Sequence, residues 1–277
     1  MAALTTQTVS PATKPASKPF PYKKVLVIGG TSGIGSALAS QFVAAGIKVV
    51  VVGRRADRLS SFVAEHGSDN ATAHVFDITK LSSIRDFITE VTAANPDLDC
   101  AFLNSGVYEI LNFSDPDSLD MAAFENELTT NYTSFVHLTA ALLPFLLAKE
   151  GQPTSLIYTT SALAFFPIQL LPTYSATKAA LHHFILSLRR QLRWTDCRVI
   201  EIFPPIVYTD MVKGREEDYV KDLATMAMPL EEFAEATWAQ LDAGKDQVAV
   251  GLSKVAFDGW EQERQQQFED FNSLVGR

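Results

Sequence analysis

Tyr174 and Lys178 stand four residues apart in the stretch Tyr174-Ser175-Ala176-Thr177-Lys178. After them Leu181, Phe184, Ile185, Leu188 and Leu192 recur at three- and four-residue steps, the apolar stripe of an amphipathic helix. Side chains at i and i+4 lie one above the other, so the phenol and the ammonium share a helix face. A free tyrosine titrates near ~10 and is a poor proton donor or acceptor at neutral pH. A neighbouring ammonium favours the phenolate, and a tyrosine lowered in this way can act as a general acid/base. The pair alone also fits a surface helix with no chemistry, so the rest of the chain must supply something for it to act on.

The 277 residues are 47% hydrophobic and 20% charged, an ordinary soluble composition of a length for one large α/β domain or two small ones. A net charge of -9 argues against nucleic-acid binding. The charge is uneven. Lys14, Lys18, Lys23, Lys24, Lys48, Arg54 and Arg55 all precede the first acidic residue, so a basic first segment could meet an anionic ligand. Cys100 and Cys197 form no CxxC pair and read as reduced core residues in a reducing, cytoplasmic compartment. No stretch reaches the ~20 apolar residues of a membrane span. Residues 1–22, rich in Thr, Pro, Ala and Lys, predict a disordered lead-in rather than a secretory signal, with a transit peptide as the alternative.

Beyond the lead-in, apolar runs alternate with helical periodicity. Strands are predicted at 24–28, 48–52, 73–76, 100–103, 156–159, 199–203 and 247–251. Helices are predicted at 37–45, 57–66, 81–94, 119–148 with a break at Pro144, from Tyr174 onward, and at 230–243. This alternation predicts a doubly wound α/β (Rossmann) fold over 23–255: a mostly parallel seven-stranded sheet with helices on both faces. Residues 256–277 read as a C-terminal helical tail, with Phe268, Phe271 and Leu274 set to pack on the body or on a neighbouring subunit.

The first strand runs into Gly29-Gly30-Thr31-Ser32-Gly33-Ile34-Gly35 and then a helix. Glycines there let the backbone approach a pyrophosphate, and the helix N-terminus offers N–H groups and a positive dipole end. The placement predicts a dinucleotide site at Gly29, Thr31, Ser32, Gly33, Ile34 and Gly35. The G-x-x-x-G-x-G spacing, with Y-x-x-x-K far downstream, resembles the signature of the short-chain dehydrogenase/reductases from about Lys24 to Gly251. Other stretches match in order. Asp77-Ile78 after the third strand resembles the family's adenine-contacting pair, and Asn104-Ser105-Gly106 stands where the family has Asn-Ala-Gly. Asn131 in the long helix and Ser161, thirteen residues before Tyr174, stand where the family places a catalytic asparagine and serine. Singly, Asn104, Asn131 and Ser161 fit ordinary turn, helix and strand-end residues; their joint order carries the resemblance. One departure is Pro204-Pro205 in place of the family's Pro-Gly, which predicts a stiffer bend beside the nicotinamide and an altered substrate lid. Pro204, Val207 and Thr209 are expected on the cofactor, as is Gly106.

At the end of the second strand an acidic residue holds the ribose 2′-hydroxyl of NAD, whereas an arginine accommodates a 2′-phosphate. Gly53-Arg54-Arg55 stands there and the first acid is Asp57, so NADP(H) is the predicted cofactor, with Arg54 and Arg55 on the phosphate. The resemblance implies the remaining roles. NADPH delivers hydride to a carbonyl carbon while Tyr174 protonates the oxygen, which Ser161 hydrogen-bonds. Lys178 lowers the Tyr174 pKa and holds the nicotinamide ribose, and Asn131 positions Lys178 and a relay water. Leu163, Phe165, Phe166, Ile168, Leu170 and Leu171, with Tyr208, Met211, Met226 and Met228, predict an apolar or aromatic carbonyl compound as substrate. The same side chains equally fit packing against the body or a second subunit. His137, His182 and His183 read as core or surface residues, and no metal site is predicted. Three alternatives stay open: an NAD(P)+-dependent alcohol dehydrogenase working oxidatively, a non-catalytic NADPH-binding or sensing protein, and an interaction protein working through its C-terminal helix. The resemblance implies a homodimer or homotetramer.

Overall fold

The computed structural model describes residues 20–213 and 225–275. Among them, seven strands form one parallel sheet in the order β3-β2-β1-β4-β5-β6-β7. These are β1 (Lys24–Ile28), β2 (Lys48–Gly53), β3 (Ala71–Val75), β4 (Cys100–Leu103), β5 (Thr154–Thr159), β6 (Cys197–Phe203) and β7 (Gln247–Ala249). The nearly continuous apolar runs of β1, β2 and β4 are those of strands covered on both faces. Alternate residues divide between two cores. Val25 and Val27 pack with Leu38 and Phe42 of α1 (Gly33–Ala44), Leu59 of α2 (Ala56–His66) and Phe233 of α7 (Leu230–Asp242). Leu26 and Ile28 face Ile88 of α3 (Ile84–Ala94), Leu138 of α5 (Ser134–Leu147) and Ile185 of α6 (Pro172–Gln191).

Strand order reverses between β1, which is followed by β2 on one side, and β4 on the other. Such a switch point leaves a crevice beyond the carboxyl ends of the strands. The predicted strands are all present, although β5 and β6 start two residues earlier than expected, β3 spans 71–75 and β7 is shorter.

The helix expected over 119–148 differs most. It is interrupted not at Pro144 but at a π turn, Thr129–Thr133, between α4 (Met121–Leu128) and α5. Pro144 stays inside α5 because it and Ala140, whose carbonyl loses its usual donor, both face solvent.

Packed structure continues past both ends of the sheet. Phe20 stacks on Phe42 with centroids 5.5 Å apart, and Tyr22 is buried, so packed structure begins ahead of residue 23; residues 1–19 of the expected lead-in lie outside the described residues. At the other end, α8 (Leu252–Ala256), a π turn (Phe257–Glu261) and α9 (Gln262–Val275) follow β7. Glu261 is fully buried there and Phe257 packs on Phe203 of β6. Cys100 and Cys197 are buried free thiols. Among the described residues no helix is long and apolar enough to cross a membrane.

Candidate active site

The carboxyl ends of β1, β2, β4, β5 and β6 surround a cavity of about 680 Å³. Its first wall is the glycine turn. Gly29 has φ +90°, and a Cβ on it would come within 2.7 Å of the Ser105 backbone nitrogen. Gly35 meets the turn from the helix side, where a Cβ would stand 2.1 Å from the Gly29 carbonyl oxygen. Gly35 therefore shapes the turn from behind and does not line the cavity, whereas Gly29, Thr31, Ser32, Gly33 and Ile34 do. Ser32 caps α1 without a side-chain hydrogen bond, so the first-turn N–H groups are free to meet an anion.

Arg54 and Arg55 border the same wall. The Arg55 guanidinium donates through Nη2 to Thr31 Oγ1 at 2.7 Å and to Ser32 Oγ at 2.6 Å, which brings its charge over the turn. Asp210 meets this basic edge, paired with Arg58 and 3.8 Å from Arg55. Arg58 was not singled out from the sequence, although it completes an Arg-Arg-x-x-Arg spacing. Asp77 and Ile78 line the cavity next to this edge. Burial opposes the Asp77 charge, yet hydrogen bonds from Thr79 and the nearby Arg54 hold the carboxyl below its ordinary range.

Asn104 joins three strand ends. Its backbone N–H donates to Ile28, its Oδ1 accepts from Thr159 Oγ1 at 2.8 Å, and its Nδ2 donates to Gly29 O at 3.4 Å. Gly106 lies against the lysine end of the cavity, where a Cβ would be 3.7 Å from Lys178 Nζ. Pro204, Val207 and Thr209 line the far wall, with Thr209 packed over Gly33. The double proline leaves the Pro204 carbonyl accepting from Ala162 N at 2.9 Å, while Val207 bridges to Met228.

Tyr174, Ser161 and Lys178 converge on one side of this cavity. Lys178 is 2% exposed and donates through Nζ to the Thr159 carbonyl at 3.0 Å, with Nζ 5.6 Å from the Tyr174 ring centroid. Burial pushes its pKa down to about 8, against the charges of Glu127 and Glu201. Ser161 accepts from Leu163 N at 3.1 Å, and its hydroxyl hydrogen-bonds the Tyr174 phenol.

Two expectations change here. The Tyr174 phenol is not lowered: burial pushes it up to about 12, assisted by Glu127 and Tyr108, and the Ser161 hydroxyl only partly offsets this. Asn131 does not line the cavity. Its amide is fully buried and closed on the backbone, accepting from Val107 N at 2.9 Å and donating to Val107 O at 2.8 Å. The π turn is what aims it there, fixing the 106–107 loop against α6, where it also reaches Thr177 Oγ1 at 3.2 Å.

Glu127 is a second buried group that the sequence reading passed over. It accepts from Glu109 N at 2.7 Å, and burial raises its pKa. Beyond Ser161 and Tyr174 the wall is mostly apolar, with Leu163, Phe166, Ile168, Leu171, Met211 and Met226. Phe165 and Met228 are not in it. Phe165 turns toward Phe203 and Trp260, and Met228 packs into the core below.

Residues 23–220 match the family model described as short chain dehydrogenase. The chain is 31% identical over 225 residues to the uncharacterized oxidoreductase DltE of Bacillus subtilis (strain 168), covering 81% of this chain and 86% of that one. It is 30% identical over 220 residues to the NADP-dependent 3-hydroxy acid dehydrogenase YdfG of Salmonella typhi, covering 77% and 87%. Among solved structures, the closed form of serine dehydrogenase complexed with NADP+ superposes with a TM-score of 0.71 at 26% identity, covering 82% and 94%.

Proposed function

Since the chain belongs to the short-chain dehydrogenase/reductase family and is therefore an NAD(P)-dependent oxidoreductase, we propose that it uses NADPH to reduce the carbonyl group of a neutral apolar or aromatic small molecule. The observation that carries this reading is one cavity with an anion-ready glycine turn and two arginines at one end, and Ser161, Tyr174 and Lys178 beside an apolar wall at the other.

The residues present fit a dinucleotide phosphate. The open first turn of α1 and the glycine backbone suit the pyrophosphate, and Arg54 and Arg55 suit a 2′-phosphate where NAD would need a carboxylate. When bound, the reduced nicotinamide supplies hydride to the carbonyl carbon. Tyr174 Oη holds the proton that passes to the substrate oxygen, and a phenol raised by burial keeps that proton at neutral pH. Ser161 Oγ donates to the same oxygen, where negative charge develops. Lys178, held by Thr159, places a positive charge beneath the phenol and stabilises the phenolate left behind. Asn131 keeps the 106–107 loop shaped around Lys178.

The substrate half also bears on the choice of compound. Among the described residues this half is mostly apolar, with Glu109 and Lys178 as its charged lining side chains and the Lys178 ammonium held by the Thr159 carbonyl. A neutral ketone, quinone or aldehyde suits this wall better than the hydroxy acid in the name of one relative. NADPH absorbance loss on a panel of neutral aromatic carbonyls and matched keto acids tests this. Neutral compounds are expected to exceed their acid counterparts by about tenfold or more in kcat/KM; the reverse order would sink the substrate class. The family likeness also supports a homodimer or homotetramer, which sedimentation of the full chain tests.

A further inference from the structure

Glu201 stands in the middle of β6 between Ile200 and Ile202 and is fully buried. Its Oε1 accepts from Thr160 Oγ1 at 2.9 Å and from His182 Nδ1 at 2.8 Å. His182, also fully buried, lies one helical turn beyond Lys178 on α6. On the opposite edge of the imidazole, Nε2 is 2.8 Å from Oε1 of Glu261, in the π turn before α9. Arg264 clasps that carboxylate, Nε to Oε2 at 2.7 Å and Nη2 to Oε1 at 2.8 Å, and Gln265 donates to it at 2.8 Å. Arg264 Nη2 also lies 2.8 Å from His182 Nε2, its Nη1 3.3 Å from His183 Nε2, and Arg189 Nη2 lies 3.7 Å from Glu201. Phe165 and Phe203 face the imidazole, each with centroids 5.5 Å away, and keep the cluster dry.

Stability alone does not account for this arrangement. Removing charges from water costs several kcal/mol per ion, and well-packed apolar side chains in their place commonly fold as well or better. What the cluster touches is more informative. Three consecutive residues lie at and just beyond the end of β5: the Thr159 carbonyl holds Lys178, the Thr160 hydroxyl is held by Glu201, and Ser161 follows. The strand end carrying the serine and the helix carrying the tyrosine are thus fastened twice, once through Lys178 and once through Glu201 and His182. The second fastening is completed by the C-terminal segment.

We propose that Glu201, His182 and Glu261 are positioning residues that hold the Thr159–Ser161 end of β5 in register with α6, making the C-terminal segment a working part of the site. The proposal rests on Ser161, Tyr174 and Lys178 being the reacting end.

Glu201→Gln risks the fold, so Glu261→Gln and His182→Gln in the full chain carry the test. Hydrogen exchange read by mass spectrometry is expected to quicken about fivefold or more over 156–165 and 174–182, while β1 to β4 stay as in the wild type. Quickening confined to 252–275 would overturn the proposal. With NADPH and acetophenone, kcat of Glu261→Gln is expected to fall about tenfold while the NADPH Kd, from its fluorescence, stays within about twofold. Equal loss in both, or unchanged kcat with a lowered Tm, would also overturn it. Should the wild type turn over no carbonyl, the proposed function fails, and the exchange measurement still decides the positioning role.

Discussion

The ammonium of Lys178 and the carbonyl oxygen of Thr159 lie 3.0 Å apart, tying the helix that bears the tyrosine to the strand that leads into Ser161. The lysine is thus anchored by the backbone rather than by the phenol, with its Nζ 5.6 Å from the centre of the Tyr174 ring. Tyr174→Phe removes the proposed proton donor and leaves that anchor in place. Turnover is expected to drop by about 10²–10⁴-fold, with NADPH affinity nearly unchanged. A mutant retaining a tenth of the wild-type rate would exclude Tyr174 as the acid.

The lowered lysine has a pH consequence. Burial places its pKa near 8, so the positive charge beneath the phenol thins out above that pH. In the reductive direction kcat/KM, which reports groups of the free enzyme, is expected to decline across pH 8. A profile flat from pH 6 to 10 would show that this ammonium does not govern the reaction.

Arg54 and Arg55 are the residues proposed to set the cofactor preference. A hydrogen bond to a charged group is worth ~1.5–3 kcal/mol, so Arg54→Asp is expected to lower the NADPH/NADH ratio of kcat/KM by roughly 10- to 100-fold. Arg55→Ala is expected to weaken both cofactors as well, because Arg55 also braces Thr31 and Ser32. An unchanged ratio in Arg54→Asp would remove that residue from the 2′-phosphate site.

Stability should follow the tail cluster. Burial disfavours a charged His182, but Glu201 and Glu261 together lift it to about 9 from an ordinary 6.5. The stability it adds is complete below pH 6.5 and is lost as pH rises through 9. Burial likewise opposes the Glu261 charge, yet His182, Arg264 and Gln265 hold it near 2, below its ordinary 4.5. Its contribution is present above pH 4.5 and is lost as pH falls through 2. The Tm difference between wild type and Glu261→Gln should therefore be greatest between pH 4.5 and 6.5 and narrow toward 9. A difference that grows from pH 6.5 to 9 would contradict the assigned charges.

What could be read from the sequence was local. The Tyr174–Lys178 spacing, the glycine turn behind β1 and the basic pair after β2 each sit within one element and its flank, where periodicity and turn chemistry decide. The features that no local pattern gives depend on distant partners. Asn131 is aimed by a π turn that no residue pattern announces, and Tyr174 is raised by burial, with Glu127 and Tyr108 adding to it against the opposing hydroxyl of Ser161. His182 meets Glu201 across 19 residues and Glu261 across 79. One signal was available: a glutamate in the otherwise apolar run Val199-Ile200-Glu201-Ile202-Phe203 cannot be buried without a partner.

The ring of Trp260 rests 6.0 Å from that of Phe165, next to the buried histidine, whereas Trp194 stands 82% exposed and Trp238 packs on Phe20 and Phe42 at the opposite end. The three indoles therefore differ enough in surroundings to be told apart by emission. Lifting the C-terminal segment would carry Trp260, already 41% exposed, away from Phe165, so a change in its fluorescence gives an intrinsic optical gauge of that departure, with no dye attached.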